Sequence, residues 1–229
     1  MRKIAVIVAG GSGTRMGAAM PKQFLLLRGK PIIWHTIHAF LQAFADIEIV
    51  LVLPQAHIDS GKAIANEFPH ANIQLTTGGA TRFHSVKNGI QFLDTTNSVI
   101  FVHDAVRCLL TPDLILRCYA QAVEKGSAVP AVLATDSIRI STENDNTIVA
   151  DRTKVHIIQT PQTFKACILL PAFNQPFQDA FTDEATVVES NQERIFLIDG
   201  EYNNLKITRA IDLLIAEKIL EENEIKTTR

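Results

Sequence analysis

Val8-Ala9-Gly10-Gly11-Ser12-Gly13-Thr14-Arg15-Met16-Gly17, continued by Ala18-Ala19-Met20-Pro21-Lys22-Gln23, is the stretch on which the fold of this 229-residue chain turns. An apolar run, Ile4 to Ala9, leads into it. Short, β-branched runs of this kind suit a strand buried on both faces of a parallel sheet. The glycines let the backbone turn tightly and approach a ligand without Cβ atoms in the way. Successive N–H groups in such a turn form an anion-binding concavity. Arg15 and Lys22 add two full positive charges within and just after it. A loop with open N–H donors and two cations suits a polyphosphate.

Two common phosphate loops are excluded by spacing. A Walker A loop needs Gly-Lys followed by Ser or Thr, and Gly10 is followed five residues on by Arg15. The dinucleotide fingerprint places its third glycine where Met16 stands, and Gly17 arrives one residue late. Its acidic ribose ligand is missing too, because the next strand ends in Leu53-Pro54-Gln55. The pattern A-G-G-x-G-x-R-M-G followed by P-K-Q resembles the signature loop of the sugar-nucleotide and isoprenoid cytidylyltransferases.

Composition narrows the class. Hydrophobic residues make up 47% of the chain, ample for a core, and the net charge is −2. Neither nucleic acid nor an anionic membrane is favoured as a partner. The three cysteines, Cys108, Cys118 and Cys167, have no paired spacing, which reads as a reduced, cytoplasmic protein without disulfides or zinc. No signal peptide is evident, and no apolar run reaches the ~20 residues of a membrane span.

Further along, Pro31 suits the first turn of a helix to about Ala45, with Ile33, Ile37, Phe40, Leu41 and Phe44 on one stripe. His35 and His38 lie three apart on it, without a third ligand at matching spacing. Strands are expected at Ile47 to Leu53, Asn72 to Thr76, Val99 to Val102, Ala128 to Leu133 and Arg194 to Ile198. Helices are expected at Ile58 to Phe68, from the Gly78-Gly79 turn through Leu93, from about Lys165, and from Arg209 to about Glu222. Ile211, Leu214, Ile215 and Ile219 are read as one face of the last helix. Gly78-Gly79 is a second ligand-compatible turn, with the Ser85 hydroxyl in the first turns of the helix that follows. Asp104 stands at the end of the Val99 strand, where open α/β sheets bind ligands. The next helix is capped better by Thr111 with Pro112, which leaves Asp104 for a metal or a ligand. Thr182 suits a helix cap as well.

Residues 136–155 read differently. Ile138 and Ile140 alternate with polar residues, a polar tip Glu143-Asn144-Asp145-Asn146 follows, and Thr147 to Ala150 runs back. This is the pattern of a two-stranded antiparallel ribbon. Such a ribbon is marginal alone in water, so its apolar side, Ile138 and Ile140 with Ile148 or Val149 opposite, must be covered. The expected architecture is one α/β nucleotidyltransferase domain over residues 1–229. It is a three-layer sandwich with a Rossmann-like, mostly parallel sheet flanked by helices, and 136–155 protrude as a β-arm.

Five separated motifs align in order with one family. They are the loop ending Pro21-Lys22-Gln23, the Gly78-Gly79…Arg82…Ser85-Val86 turn and His103-Asp104-Ala105-Val106-Arg107. Next come Gln159-Thr160-Pro161-Gln162 with Thr182-Asp183-Glu184-Ala185, and Asn204-Leu205-Lys206-Ile207-Thr208. Over essentially its whole length the chain resembles the 2-C-methyl-D-erythritol 4-phosphate cytidylyltransferases. The resemblance implies transfer of CMP from CTP to methylerythritol phosphate with release of diphosphate, a divalent metal such as Mg²⁺, and a two-fold homodimer with interlocked arms. By matching positions it implies CTP contacts at Ala9, Gly10, Gly11, Ser12, Gly13, Thr14, Gly78, Gly79, Ser85, Asp104 and Ala105. It implies acceptor contacts at Asp104, Arg107, Ser137, Arg152, Thr160, Thr182 and Lys206. Catalytic roles fall to Arg15, Lys22, Arg152 and Lys206, and the metal to Asp104. Two departures stand out: Cys108 where a proline commonly follows the Asp-Ala-x-Arg motif, and Arg209-Ala210-Ile211 before Asp212-Leu213.

The chemistry agrees with the residue types. A phosphate monoester has its second pKa near 6 and is already ionised at neutral pH. No activating base is required, so catalysis reduces to positioning and charge stabilisation. Arg15 and Lys22 suit the α-phosphorus and the departing diphosphate, and the loop amides from Gly11 to Thr14 suit the β- and γ-oxygens. Asp104 with Mg²⁺ suits the phosphates, since magnesium takes one or two carboxylates plus phosphate oxygens. Two alternatives stay open. A ribitol-5-phosphate cytidylyltransferase shares the glycine loop and a segment like Gly200 to Thr208. A catalytically silent nucleotide-binding protein on the same fold would be expected to lose Arg15, Lys22 or Lys206.

Overall fold

Strand β1 (Arg2–Val8) is the axis of the sheet, with Ile4, Ala5, Val6 and Ile7 fully buried. The computed structural model describes residues 1–9, 20–91, 93, 97–143 and 146–227. After two short strands, β2 (Leu26–Leu27) and β3 (Lys30–Pro31), come helix α1 (Ile32–Ala43) and strand β4 (Glu48–Leu53). Helix α2 (Ile58–Ala65), strand β5 (Asn72–Thr77), helix α3 (Arg82–Ile90) and strand β6 (Ser98–Asp104) follow. Helix α4 (Pro112–Lys125) leads to β7 (Ser127–Leu133), the hairpin β8 (Ile138–Ser141) and β9 (Thr147–Ala150), then β10 (His156–Ile158) and β11 (Gln162–Lys165). The chain closes with α5 (Ala166–Ala172), α6 (Glu184–Ser190), β12 (Leu197–Asp199) and α7 (Ala210–Thr227).

The main sheet runs β10-β7-β11-β6-β1-β4-β5, with β12 parallel against β7. Strands β6, β1, β4 and β5 are mutually parallel, while β10 and β11 run antiparallel to their neighbours. The α/β class and mostly parallel sheet match the sequence reading. The two antiparallel strands were not anticipated, because three- and four-residue runs carry too little periodicity to register.

Alternation along the strands fills two cores. Ala5, Ile7, Leu51 and Phe101 face α1 and α4 through Ile33, Ile37, Phe40, Leu114 and Cys118. Ile4, Val6, Val52 and Val102 face the other side, against Phe83, Val86, Leu169 and Val188. Pro31 sits just before α1 rather than within it, and its N–H-free backbone ends β3. Thr111 caps α4 through Leu114 N–H, with Pro112 at the first position, as expected. The cap of α6 is Asp183, not Thr182: Asp183 accepts from Thr186 N–H, and Thr186 reciprocates. In α7 the stripe read from the sequence is largely not the buried side. Ile211, Leu214 and Ile215 are exposed, and the buried side is Ala216 with Leu213, Ile219 and Leu220 against Leu27, Ile32 and Ile207.

Strand order reverses at β1, since β4 lies on one side and β6 on the other. In open α/β sheets the crevice outside the carboxyl ends of the strands at such a switch point is where ligands bind. Here the register pairs Val8 directly with Asp104. The strand end that leads into the glycine loop and the acidic strand end therefore lie side by side.

Candidate active site

The two ends of the glycine loop are tied together. Gln23, only 2% exposed, donates from Nε2 to Ala9 O at 2.7 Å, and Ala9 N–H donates to Val52 O at 2.8 Å. Gly10, Gly11, Ser12, Gly13, Thr14 and Arg15 lie outside the described residues. Lys22, held in the turn after the loop, reaches across to the last segment of the chain, where its Nζ donates to Ile207 O at 3.3 Å.

Opposite stands the Gly78–Ser85 turn. Thr81 caps α3, and the Ser85 hydroxyl both accepts from Gly79 N–H at 3.0 Å and donates to Thr81 O at 2.9 Å. Ser85 thus braces the turn from within, buried, rather than projecting freely. A Cβ on Gly79 would sit 2.4 Å from His84 Cβ, so only glycine lets this backbone pack so closely on α3.

Between these walls stands Asp104. Its Oδ2 lies 2.8 Å from Lys206 Nζ and 3.8 Å from Arg107 Nε, and its Oδ1 lies 3.2 Å from Arg82 Nη2. Burial alone would raise this carboxyl, but Arg82, Lys206 and Arg107 together hold it well below the usual carboxylate range. Arg82 also forks onto Glu184, which is almost wholly buried and whose pKa is raised by that burial against the pull of Arg82. The segment carrying Lys206 is fixed at its end by Asp212, which accepts from the N–H groups of Thr208 and Arg209.

Behind Asp104 lies a buried polar chain. Asp104 N–H donates to Thr160 Oγ1 at 3.1 Å, and Thr160 Oγ1 lies 2.9 Å from His103 Nδ1. His103 Nε2 lies 3.2 Å from Arg107 O. A carbonyl only accepts, so Nε2 carries the proton, Nδ1 accepts and the Thr160 hydroxyl donates to it. Burial pushes the His103 pKa down to about 3, which keeps this tautomer neutral. Thr160 therefore supports the strand end from beneath. Arg107 donates to Asn204 O and Ile158 O, and its burial lowers its pKa against the attraction of Asp104. Ala105 is fully buried, with its N–H on Val8 O.

The cleft enclosed here has a volume of about 550 Å³ and is lined by Ala9, Lys22, Gln23, Gly79, Arg82, Ser85, Asp104, Lys206 and Thr208 among others. That is within the range of small-molecule and cofactor sites. Among the described residues no group of three or more metal-ligating side chains occurs. Asp104 is the cleft's carboxylate, and its oxygens already face Lys206 and Arg82. This donor set fits a cation that arrives on a triphosphate and gains one protein oxygen, rather than a preformed metal cage.

Ser137, Arg152 and Thr182 are exposed and do not line this cleft. Arg152 follows the hairpin and donates to Thr135 O. In the hairpin Ile140 pairs with Ile148 and Ile138 with Ala150, so Ile148, not Val149, shares the apolar side. Ile140 and Ile148 are 52% and 54% exposed.

Residues 3–222 match the sequence profile of the 2-C-methyl-D-erythritol 4-phosphate cytidylyltransferases, also called IspD. The chain belongs to this family. The IspD relative from Bacteroides thetaiotaomicron is 39% identical over 222 residues, covering 96% of this chain and 100% of the relative. That from Azobacteroides pseudotrichonymphae is 41% identical over 225 residues. A crystal structure of 4-diphosphocytidyl-2C-methyl-D-erythritol synthase from Anaerococcus prevotii superposes with a TM-score of 0.83 at 25% identity, covering 96% of this chain and 98% of that one. No described helix is long and apolar enough to cross a membrane. Within this IspD chain, three of the residues named from the sequence, Lys22, Asp104 and Lys206, line the cleft. Gln23, Arg82, His103 and Glu184 have no role assigned from the sequence. All four lay inside the quoted motifs, but a pairing such as Arg82 with Glu184, 102 residues apart, leaves no local spacing to read.

Proposed function

We propose that this chain transfers CMP from CTP to 2-C-methyl-D-erythritol 4-phosphate, releasing diphosphate. The observation that carries this reading is one cleft in which Lys22, the Gly79–Ser85 turn, Asp104 and Lys206 face each other. The Gly78-Gly79 turn offers backbone groups to a small base. Arg15 and Lys22 hold the triphosphate and stabilise charge at the α-phosphorus and on the leaving diphosphate. Lys206, anchored to Asp104, holds the acceptor phosphate for in-line attack. The attacking oxygen is already ionised, so these residues orient and neutralise rather than move a proton. A divalent cation on the triphosphate would supply further charge neutralisation, with Asp104 as its one protein carboxylate.

The domain spans residues 1–229, with 136–155 as an arm between two copies of the chain. The exposed side of Ile140 and Ile148 supports this, because it needs a cover. In a closed two-fold pair the arm would carry Arg152, with Ser137 nearby, to the partner's cleft beside Lys206. The decisive assay measures diphosphate release with CTP, ATP or GTP against methylerythritol phosphate and ribitol 5-phosphate in parallel. Strong preference for CTP with methylerythritol phosphate is expected. Faster turnover of ribitol 5-phosphate, or equal turnover with ATP, would overturn the proposal.

A further inference from the structure

The carboxylate of Asp104 can rotate about a soft, roughly two-fold torsion. Its two oxygens have different partners: Oδ1 faces Arg82, and Oδ2 faces Lys206 at 2.8 Å with Arg107 Nε farther off at 3.8 Å. Whatever holds Arg82 on Oδ1 therefore sets where Oδ2 points and where the Lys206 ammonium rests. Arg82 is held by Glu184, the first residue of α6, through both terminal nitrogens, with Nη2 at 3.0 Å from Oε2. A fork of this kind fixes the guanidinium plane as well as its position. Glu184 cannot shift easily, because the start of α6 is locked. Gln162 accepts from Ala185 N–H at 2.8 Å and donates to Asp183 at 2.9 Å.

From this geometry we infer that Glu184 and Arg82 are positioning residues. They form a row of alternating charges, Glu184–Arg82–Asp104–Lys206, that aims the Lys206 ammonium into the cleft. Side-chain exposure along the row is 1% for Glu184, 27% for Arg82, 10% for Asp104 and 44% for Lys206. Its anchored end lies in the core and its working end in the cleft. Burying charges in this way is costly, and an apolar pair of the same volume would serve stability as well. The row joins α6, α3, β6 and the 204–208 segment.

The inference rests on the reading of Lys206 as the acceptor-phosphate group, and its test separates the two. Glu184→Gln keeps the side-chain shape and removes the charge. Arg82→Lys keeps the charge and removes the fork. Each is expected to raise the acceptor KM about ten-fold, within the range of coupling between contacting residues, while the KM for CTP stays within about two-fold. In a double-mutant cycle, Glu184→Gln added to Asp104→Asn should cost nothing further, because the row is already cut. The ¹⁵N signal of the Lys206 ammonium, protected by its ion pair in the wild type, should be lost in Glu184→Gln as it is in Asp104→Asn. Thermal melts identify any variant that fails to fold, and the other variant then decides. Multiplicative effects in the cycle, equal changes in both KM values, or an unchanged Lys206 signal would overturn the inference. If the wild type fails to use methylerythritol phosphate, the proposed function falls, and the Lys206 signal still decides the row.

Discussion

Lowering the pH should expose His103 as a specific drain on stability. The folded protein holds this imidazole neutral, with its pKa near 3 against an ordinary value of 6.5. Between those values the unfolded chain binds a proton that the folded chain refuses. Stability from this residue is therefore full above pH 6.5, falls as pH drops through the window, and levels off near 3. Each unit of the window is worth about 1.4 kcal/mol. From pH 7 to pH 4.5 the loss is about 2.5 kcal/mol once partial protonation at the upper end is included, a large part of a typical total of roughly 5–15. The figure depends almost wholly on the unfolded value so long as the folded pKa stays below about 4. The assay is urea unfolding at pH 7, 6, 5 and 4.5 on the wild type and on His103→Gln, which has nothing to titrate there. His35, whose pKa is also lowered by burial, is present in both proteins and cancels. The wild type should lose about 2.5 kcal/mol more than the variant across that range, a midpoint difference of about 1 M urea. Parallel curves would refute the argument. They would mean that His103 accepts a proton as readily in the fold as outside it, and that the Thr160–His103–Arg107 chain does not fix its tautomer.

Four further outcomes are expected. Lys22→Ala should lower kcat by roughly 10²–10³ with a smaller effect on CTP binding, read by single-turnover kinetics and titration. Gly79→Ala forces its new Cβ against His84 at 2.4 Å, so the turn must shift; at about 1–3 kcal/mol for overpacking, the KM for CTP should rise about ten-fold or more while the acceptor KM holds. If two copies pair through their arms as proposed, Ile140→Ser with Ile148→Ser removes four half-exposed isoleucines from that contact; at about 1 kcal/mol each, the dissociation constant should rise about 10³-fold in sedimentation experiments. Mixed with subunit exchange, Arg152→Ala and Lys206→Ala proteins should then regain activity in the heterodimer, and failure despite proven exchange would refute a shared site.

The parts of the site visible in the sequence were those with local chemistry. The glycine loop, the Gly-Gly turn and Asp104 at a strand end each announce themselves within a few residues. The hairpin was equally legible, because period-two alternation around a polar tip has few other readings. What stayed hidden depends on contacts between distant segments. Gln23 staples the loop, and Glu184 holds Arg82, only once the sheet has brought them together. The buried face of α7 was hidden for a related reason. Ile211, Leu214, Ile215 and Ile219 do make a helical stripe, but neighbouring Leu213, Ala216 and Leu220 make a competing one, and only tertiary packing selects between them.

The contact between Lys22 and Ile207 has a consequence for synthesis. It spans 185 residues, from near the start of the chain to near its end. At about 5–20 residues per second, Lys22 leaves the ribosome roughly 10–40 s before its partner is made. During that interval the nascent protein has the wall that carries Lys22 and lacks Asn204 to Thr208 altogether. A chain cut short by nonsense mutation or stalling before residue 204 is thus left without Lys206, and cannot transfer CMP to the acceptor through the completed cleft.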